Sequence, residues 1–147
     1  MKMIQDHLAQ LREELAEFED GFERYSYLVE LAALLPPYPQ AYRTPECLVQ
    51  GCQSRVWLNA YSEDGKFFFD ADSDTLIIKG VLLLLQDVLC GAALEEAAGL
   101  RTDLLQEAGL SGVFSNTRQK GIGAAIEMLR DSAEKMMQQD EGLAAAR

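Results

Sequence analysis

The sequence predicts an α+β domain in which a small antiparallel β-sheet packs against several helices. Three observations predict this class. Two segments with helical periodicity come first, a β-hairpin pattern lies in the middle, and two further helical regions follow. No repeat and no linker composition interrupts the 147 residues, so we expect residues 1–147 to form one domain.

The N-terminal third predicts two amphipathic helices and a loop. The first helix lies within residues 1–20 and the second follows the Asp20-Gly21 break, because apolar residues recur there at steps of three and four (Ile4, Leu8, Leu11, Leu15, Phe18; then Phe22, Tyr25, Val29, Ala32). The second helix should stop at Leu35, since two prolines follow it. Residues 36–45 should be a loop that leads to the cysteine segment.

The middle of the chain predicts a β-hairpin. Residues 55–61 alternate in polarity, which places Val56, Leu58 and Ala60 on one face. Residues 62–65 end in Asp-Gly, the strongest short hairpin signal, and a return strand rich in Phe occupies residues 66–70.

A strongly apolar helix should follow the hairpin, from about residue 75 to residue 90, and Gly91 should close it. We expect oxygens of residues 72–74 to cap its N-terminus. Apolar residues lie nearly all round this helix, so it should be the central buried helix.

The C-terminal third predicts short helices and one long helix. Residues 92–108 should form one or two short helices broken at Gly99, and residues 109–115 a loop. Asn116 or Thr117 should cap a final helix with one apolar stripe (Ile122, Ala125, Ile126, Leu129, Ala133). We expect residues 138–147 to be a frayed tail.

Composition excludes several classes of function. The net charge is −11 with only 13 Lys and Arg, which argues against nucleic acid and against an anionic membrane surface. The longest apolar run, residues 81–85, is too short to span a bilayer, and the N-terminus lacks the pattern of a signal peptide. Three cysteines then predict free thiols in a reducing cytoplasm.

Cys52 is the candidate reactive residue. It follows Gly51, which permits a tight turn, and polar Gln53 and Ser54 separate it from a strand. A thiol on a short loop without a neighbouring His suits sulfur carriage better than hydrolysis. The competing interpretation is a small buried apolar side chain, since free cysteine is among the most buried residue types.

Metal and cofactor sites are not predicted. Four residues separate Cys47 from Cys52, Cys90 should lie in the core, and the lone His7 should lie on a solvated flank, so the soft ligands of a zinc or Fe–S site are missing. No phosphate-binding loop is present, and no segment resembles a lysine site for pyridoxal phosphate.

Residues 51–58 resemble the G-C-Q-S-x-V-W signature of the SufE family, the sulfur acceptors of cysteine desulfurases. Three further segments resemble family segments in the same order: a helix before a Pro-containing loop, an acidic turn with a following Lys-Gly, and the start of the last helix (25–31, 72–80 and 115–121). Asn116 and Thr117 replace a usual proline and serine, and Cys47 is an additional thiol that the family pattern does not require.

The resemblance implies a fold similar to that of the U-type Fe–S scaffolds and a persulfide carried on Cys52. It implies a pyridoxal-phosphate cysteine desulfurase of the SufS type as partner, and an Fe–S scaffold complex of the SufBCD type downstream. The chain would then be a sulfur-transfer accessory protein without a cofactor or metal of its own. Partner binding or support is expected from residues near the thiol: Gly51, Gln53, Arg55, Asp74 and Arg118. An Fe–S scaffold and a non-carrier adaptor of a desulfurase stay open as alternatives.

Overall fold

The computed structural model describes residues 3–145, with side chains described as far as residue 140. The helices and strands, in chain order, are α1 (Met3–Ala16), α2 (Gly21–Leu31), β1 (Val56–Glu63), β2 (Lys66–Ser73), α3 (Leu76–Leu89), β3 (Ala92–Ala93), α4 (Leu94–Ala98) and α5 (Asn116–Ala145). Short 3-10 turns at Ala32–Leu34, Gln40–Tyr42 and Pro45–Cys47 connect α2 to β1. The small antiparallel sheet and its helices confirm the predicted α+β class.

The two N-terminal helices form where the periodicity predicts them. The apolar stripe of α1 is buried as expected (Ile4, Leu8, Leu11 and Leu15). Asp20 caps α2 by accepting the N–H of Glu23 at 2.9 Å. Leu28 of α2 is fully buried against α3 at Gly80, where an added Cβ would lie 1.9 Å from the Leu28 carbonyl oxygen. Only glycine therefore permits this helix contact.

The hairpin prediction is confirmed, although both strands are longer than expected. β1 and β2 pair from Val56↔Ser73 to Glu63↔Lys66, so β1 includes two residues that we assigned to the turn. The two-residue turn is Asp64-Gly65, with φ of 53° and 75°, and these positive values explain the Asp-Gly pair.

The strand β3 is a correction to the sequence prediction, which placed its residues in a helix. Ala92 pairs with Phe67, and Ala93 pairs with Lys66. Gly91, with φ of 90°, donates its N–H to the Phe67 carbonyl at 2.8 Å and turns the chain from α3 onto the sheet edge. After β3, α4 ends at Gly99 as predicted, and a π-type turn over Gln106–Leu110 occupies part of the expected loop.

The predicted cap of α3 is correct only in part, and that of α5 is wrong. Thr75 is the N-cap of α3 and its own side chain makes no capping hydrogen bond, but the hydroxyl oxygen of Ser73, the last residue of β2, accepts the N–H of Thr75 at 3.3 Å. At α5 the cap is Ser115, whose hydroxyl accepts the N–H of Arg118 at 3.2 Å. Asn116 therefore begins the helix itself.

The centre of the core is α3, as predicted. Ten of its fourteen residues are buried. They pack against β2, α2 and α1. Most of them belong to one connected cluster that also contains the buried residues of α1 and α5. The stripe of α5 is buried as expected (Ile122, Ala125, Ile126, Leu129, Ala133). The tail expected to fray from residue 138 is helical as far as Ala145, and residues 146 and 147 lie outside the described residues.

Candidate functional site

The Cys52 loop, residues 50–55, begins and ends at paired backbone. Val49 donates its N–H to the Val56 carbonyl at 2.8 Å, and Leu48 pairs with Trp57 in an antiparallel bridge. Gly51 has φ of 85°, which a residue with a Cβ rarely adopts, so glycine allows the chain to turn just before the thiol. The thiol is thus presented on a short loop with a fixed base.

The sulfur of Cys52 lies against α5. The residue is half-buried, and a Cβ added to Gly121 would lie only 2.7 Å from Sγ, well inside van der Waals contact. The absence of a side chain at position 121 therefore leaves the space in which the sulfur sits.

A small cleft of about 60 Å³ opens beside the sulfur. Two segments distant in sequence line most of it, the Cys52 loop and the start of α5, with one residue from α3 (Cys52, Gln53, Ser54, Ile78, Ser115, Thr117 and Arg118). Its walls are mainly polar side chains that can donate hydrogen bonds. Of the residues predicted to support the thiol, Gln53 and Arg118 reach this cleft.

Arg55 and Asp74 do not line the cleft: Arg55 is the last residue of the loop, and Asp74 lies beside it. The Asp74 carboxylate accepts the N–H of Arg55 at 3.1 Å, and the Ser73 hydroxyl donates to the Arg55 carbonyl at 2.8 Å. Thr75 donates its hydroxyl to that of Ser54 at 2.8 Å. The oxygens expected to cap α3 therefore fasten the Cys52 loop to the turn between β2 and α3.

The comparisons with known proteins identify the family of the chain. The family model named SufE, described as an Fe–S metabolism associated domain, matches residues 9–133. The chain belongs to the SufE family. This membership, together with relatives named SufE-like, supports a role in Fe–S metabolism.

The chain is similar to proteins of several kinds. An uncharacterized SufE-like protein of Rhizobium meliloti (strain 1021) is 30% identical over 132 residues, which cover 86% of this chain and 94% of that protein. The chloroplastic quinolinate synthase of Nicotiana tabacum is 31% identical over 142 residues, which cover 91% of this chain but 20% of that enzyme. The solution structure of a hypothetical protein from Thermus thermophilus superposes with a TM-score of 0.77 at 25% identity, covering 90% of this chain and 96% of that one.

Three of the four SufE-like motifs meet at the thiol. The segment around Cys52 supplies the loop, the acidic turn at 72–74 holds it, and the last motif supplies Ser115, Arg118 and Gly121. The motif on α2 instead contributes to the packing of α2 on α3, where Leu28 contacts Gly80. Sequence reasoning missed Gly121 and Thr75 as neighbours of the loop, because no local pattern relates them to Cys52.

The remaining thiols and His7 lie elsewhere. Cys47 is half-buried, and its thiol contacts the Tyr38 hydroxyl; burial and this contact raise the pKa of Tyr38. Cys90 ends α3 and is half-buried, so its predicted place in the core is correct only in part. His7 is half-buried with Nδ1 3.1 Å from the Val88 carbonyl oxygen, so its predicted place on a solvated flank is also correct only in part.

The described residues contain neither a metal-ligand cluster nor a membrane-spanning helix. Within that part of the chain no three His, Cys, Asp or Glu side chains lie close enough together to hold a metal ion. Among residues 3–145, none of the helices combines the length and the apolar composition that a membrane crossing requires.

Proposed function

We propose that this SufE-family protein accepts sulfur from a pyridoxal-phosphate cysteine desulfurase and carries it as a persulfide on Cys52 toward Fe–S cluster assembly. One observation carries the proposal. Cys52 is a half-buried thiol on a loop with a fixed base, beside a polar cleft in which it is the sole thiol among the lining residues. Such a thiol can exchange sulfur with a partner, yet its environment limits contact with small oxidants and reductants.

The chemistry is a thiol–persulfide exchange. The Cys52 thiol loses its proton, and the thiolate attacks the outer sulfur of the persulfide on the desulfurase. A new S–S bond forms at Cys52, the S–S bond on the desulfurase breaks, and its cysteine leaves as a thiolate. No external oxidant or reductant is consumed. The hydroxyls of Ser54 and Thr117 and the guanidinium of Arg118, which line the cleft, suit the negative charge of a persulfide.

The partners follow from this chemistry and from charge. The donor must hold a persulfide and present a surface that tolerates an acidic chain with a net charge of −11, so a desulfurase of the SufS type with a basic rim fits. An Fe–S scaffold complex of the SufBCD type would receive the sulfur. A free carrier thiol is maintained in a reducing compartment, for which we propose the cytoplasm.

Intact-mass spectrometry tests the proposal directly. The protein is incubated with a cysteine desulfurase and L-cysteine under limiting reductant, and the mass should rise by whole sulfur atoms at Cys52. Cys52→Ser should gain no sulfur at that position and should lose stimulation of the desulfurase while keeping its fold, because serine changes the volume little. Cys90→Ala, which removes a thiol away from the cleft, is the matched control and should gain sulfur like the wild type.

The two alternatives predict different results in the same assay. A non-carrier adaptor would stimulate the desulfurase fully with Cys52→Ser, which would overturn the carrier role. An Fe–S scaffold would yield a coloured protein after reconstitution with iron and sulfide; one cysteine among the cleft residues argues against it, since clusters need several thiolate ligands.

A further inference from the structure

An arginine on the outer face of the sheet contacts both sides of the base of the Cys52 loop. The Arg43 guanidinium lies over the rings of Tyr38 and Trp57, 5.1 and 5.6 Å from their centroids. It also forms an ion pair with Asp72, the cross-strand partner of Trp57. Tyr38 is itself buried, and its hydroxyl donates to the Tyr42 carbonyl at 2.9 Å, so the ring that supports Arg43 is held in place.

The ion pair continues as hydrogen bonds to the C-terminal end of the loop. The second carboxylate oxygen of Asp72 accepts the N–H of Ser73 at 2.8 Å, and the Ser73 hydroxyl donates to the Arg55 carbonyl at 2.8 Å. Burial favours the protonated form of Asp72, but the hydrogen bonds from Arg43 and Ser73 outweigh it and hold the pKa of this carboxyl below its usual value. Asp72 is therefore a charged link in this chain of contacts at neutral pH.

The same guanidinium also contacts the base of the loop, through the ring of Trp57. Trp57 pairs with Leu48 across that base, and the neighbouring Val49 donates its N–H to Val56. Arg43 precedes this paired segment by only a few residues, so fixing Arg43 on Trp57 also fixes the approach of the chain to the loop.

We propose that Arg43 is a positioning residue that clamps both ends of the Cys52 loop and thereby sets the exposure and aim of the thiol. Its importance for sulfur transfer rests on the proposed function, whereas its effect on the loop does not. An arginine suits the role because a planar guanidinium can stack on aromatic rings while it pairs with a carboxylate. An ammonium group pairs with a carboxylate but lacks the planar stack.

The first test uses the protein alone. In Arg43→Gln, hydrogen exchange of the amides of residues 50–55 and alkylation of Cys52 by iodoacetamide should both rise by about tenfold, because the loop opens more often. Asp72→Asn should have a similar effect. The double variant should exchange and be alkylated no faster than either single variant, since both changes break the same chain of contacts. Arg43→Lys should give an intermediate result.

Lys79→Gln is the matched control. Lys79 also pairs with Asp72, at 3.7 Å between Nζ and Oδ1, but it approaches from α3 rather than from the loop side. Its removal should leave exchange of residues 50–55 and alkylation of Cys52 at wild-type rates. A folded Arg43→Gln protein with unchanged loop exchange and alkylation would overturn the clamp. Hydrogen exchange that accelerates equally in α3 would also overturn the clamp, because it would show that Arg43 only stabilises the whole fold.

The second test uses sulfur transfer from a desulfurase. Arg43→Gln should raise the KM for this protein and lower kcat, since an open loop must be ordered again on docking. Faster loop exchange with wild-type kinetics would overturn the positioning role. If the wild-type protein accepts no sulfur at all, the proposed function fails, and exchange and alkylation then decide the clamp on their own.

Discussion

Gly121 lies so close to Cys52 that a Cβ at position 121 would sit 2.7 Å from the cysteine sulfur. This glycine is inside α5, where glycine costs roughly 0.5–1 kcal/mol relative to alanine. The helix therefore forgoes stability at a position where a side chain would occupy the space of the sulfur. A close approach of this kind indicates that the place of the sulfur, rather than the stability of α5, determines this residue.

The variant Gly121→Ala tests whether this glycine serves the position of the sulfur or the stability of α5. The added methyl group must displace the sulfur, so we expect faster alkylation of Cys52 and sulfur acceptance slower by about 10- to 100-fold. Gly123→Ala is the matched control on the same helix, because its Cβ would meet the nearest atom, Thr102 Cβ, at an ordinary 3.9 Å. That variant should transfer sulfur normally and be at least as stable as the wild type. Equal transfer by both variants would contradict the role of Gly121.

Charge reversal at Asp74 tests the docking surface. Asp74 is exposed and holds the N–H of Arg55, so Asp74→Arg changes the charge beside the loop and also removes a loop contact. We expect a measurable change in affinity for the desulfurase that depends on salt, mainly through the association rate. Asp74→Asn keeps an acceptor oxygen and should retain the loop contact. Unchanged binding and transfer in Asp74→Arg would place the docking face elsewhere.

Local signals in the sequence predict much of this fold because its elements form where local preference and tertiary packing agree. The Asp-Gly pair specifies the hairpin turn with its positive φ values, and the apolar stripe of α1 is the face that is buried. The strand β3 could not be predicted, because two alanines carry no strand preference and Phe67, distant in sequence, supplies the pairing.

The candidate site also combines features that the local sequence predicts with features that depend on tertiary packing. Gly51 and Cys52 identify the loop from adjacent residues alone, but local rules assigned the oxygens of residues 72–74 to the nearest helix terminus. In the structure, the Asp74 carboxylate accepts the N–H of Arg55 and the Ser73 hydroxyl donates to the Arg55 carbonyl, while the Ser73 oxygen also accepts the N–H of Thr75. The β1–β2 pairing brings the Arg55 backbone close to these groups. The cleft likewise depends on where the start of α5 lies relative to the Cys52 loop, and the spacing of residues along the chain does not predict this position.

Cys90→Ala should leave sulfur transfer unchanged and lower stability by about 1 kcal/mol, as expected for a small, partly buried side chain. Burial raises the pKa of the Cys90 thiol; a backbone hydrogen bond at Phe69 opposes the rise, and Asp70 and Asp87 add to it. Above a pH of about 8.5 the unfolded chain loses this proton first, so the wild type should lose stability relative to Cys90→Ala as the pH rises. Urea unfolding at neutral and alkaline pH measures the difference. Persulfide on Cys90 as readily as on Cys52 would contradict its protected position.

Glu96 supplies a helix cap that only the tertiary structure provides. Its two carboxylate oxygens accept the N–H groups of Met3 and Ile4, at 3.1 and 3.2 Å, at the start of α1. Glu96→Gln keeps one acceptor but removes the charge that favours a helix N-terminus, so stability should fall by about 0.5–1 kcal/mol. Glu95→Gln, on the exposed side of α4, should have little effect. Sulfur transfer should be normal in both variants, and equal stability of the two would contradict the capping role.

The last prediction concerns Cys47 and whether this second thiol regulates sulfur carriage on Cys52. It ends the turn at Pro45–Cys47, and its thiol contacts Tyr38, whereas the Cys52 sulfur lies against α5. A disulfide between them would require the paired base of the loop to rearrange, because disulfide geometry is narrow. We therefore expect mild peroxide to oxidise Cys52 to the sulfinic acid at equal rates in the wild type and in Cys47→Ser. Intact mass with and without reductant measures this. A loss of two hydrogens in the wild type alone, mapped to linked Cys47 and Cys52 peptides, would instead establish a reversible redox switch.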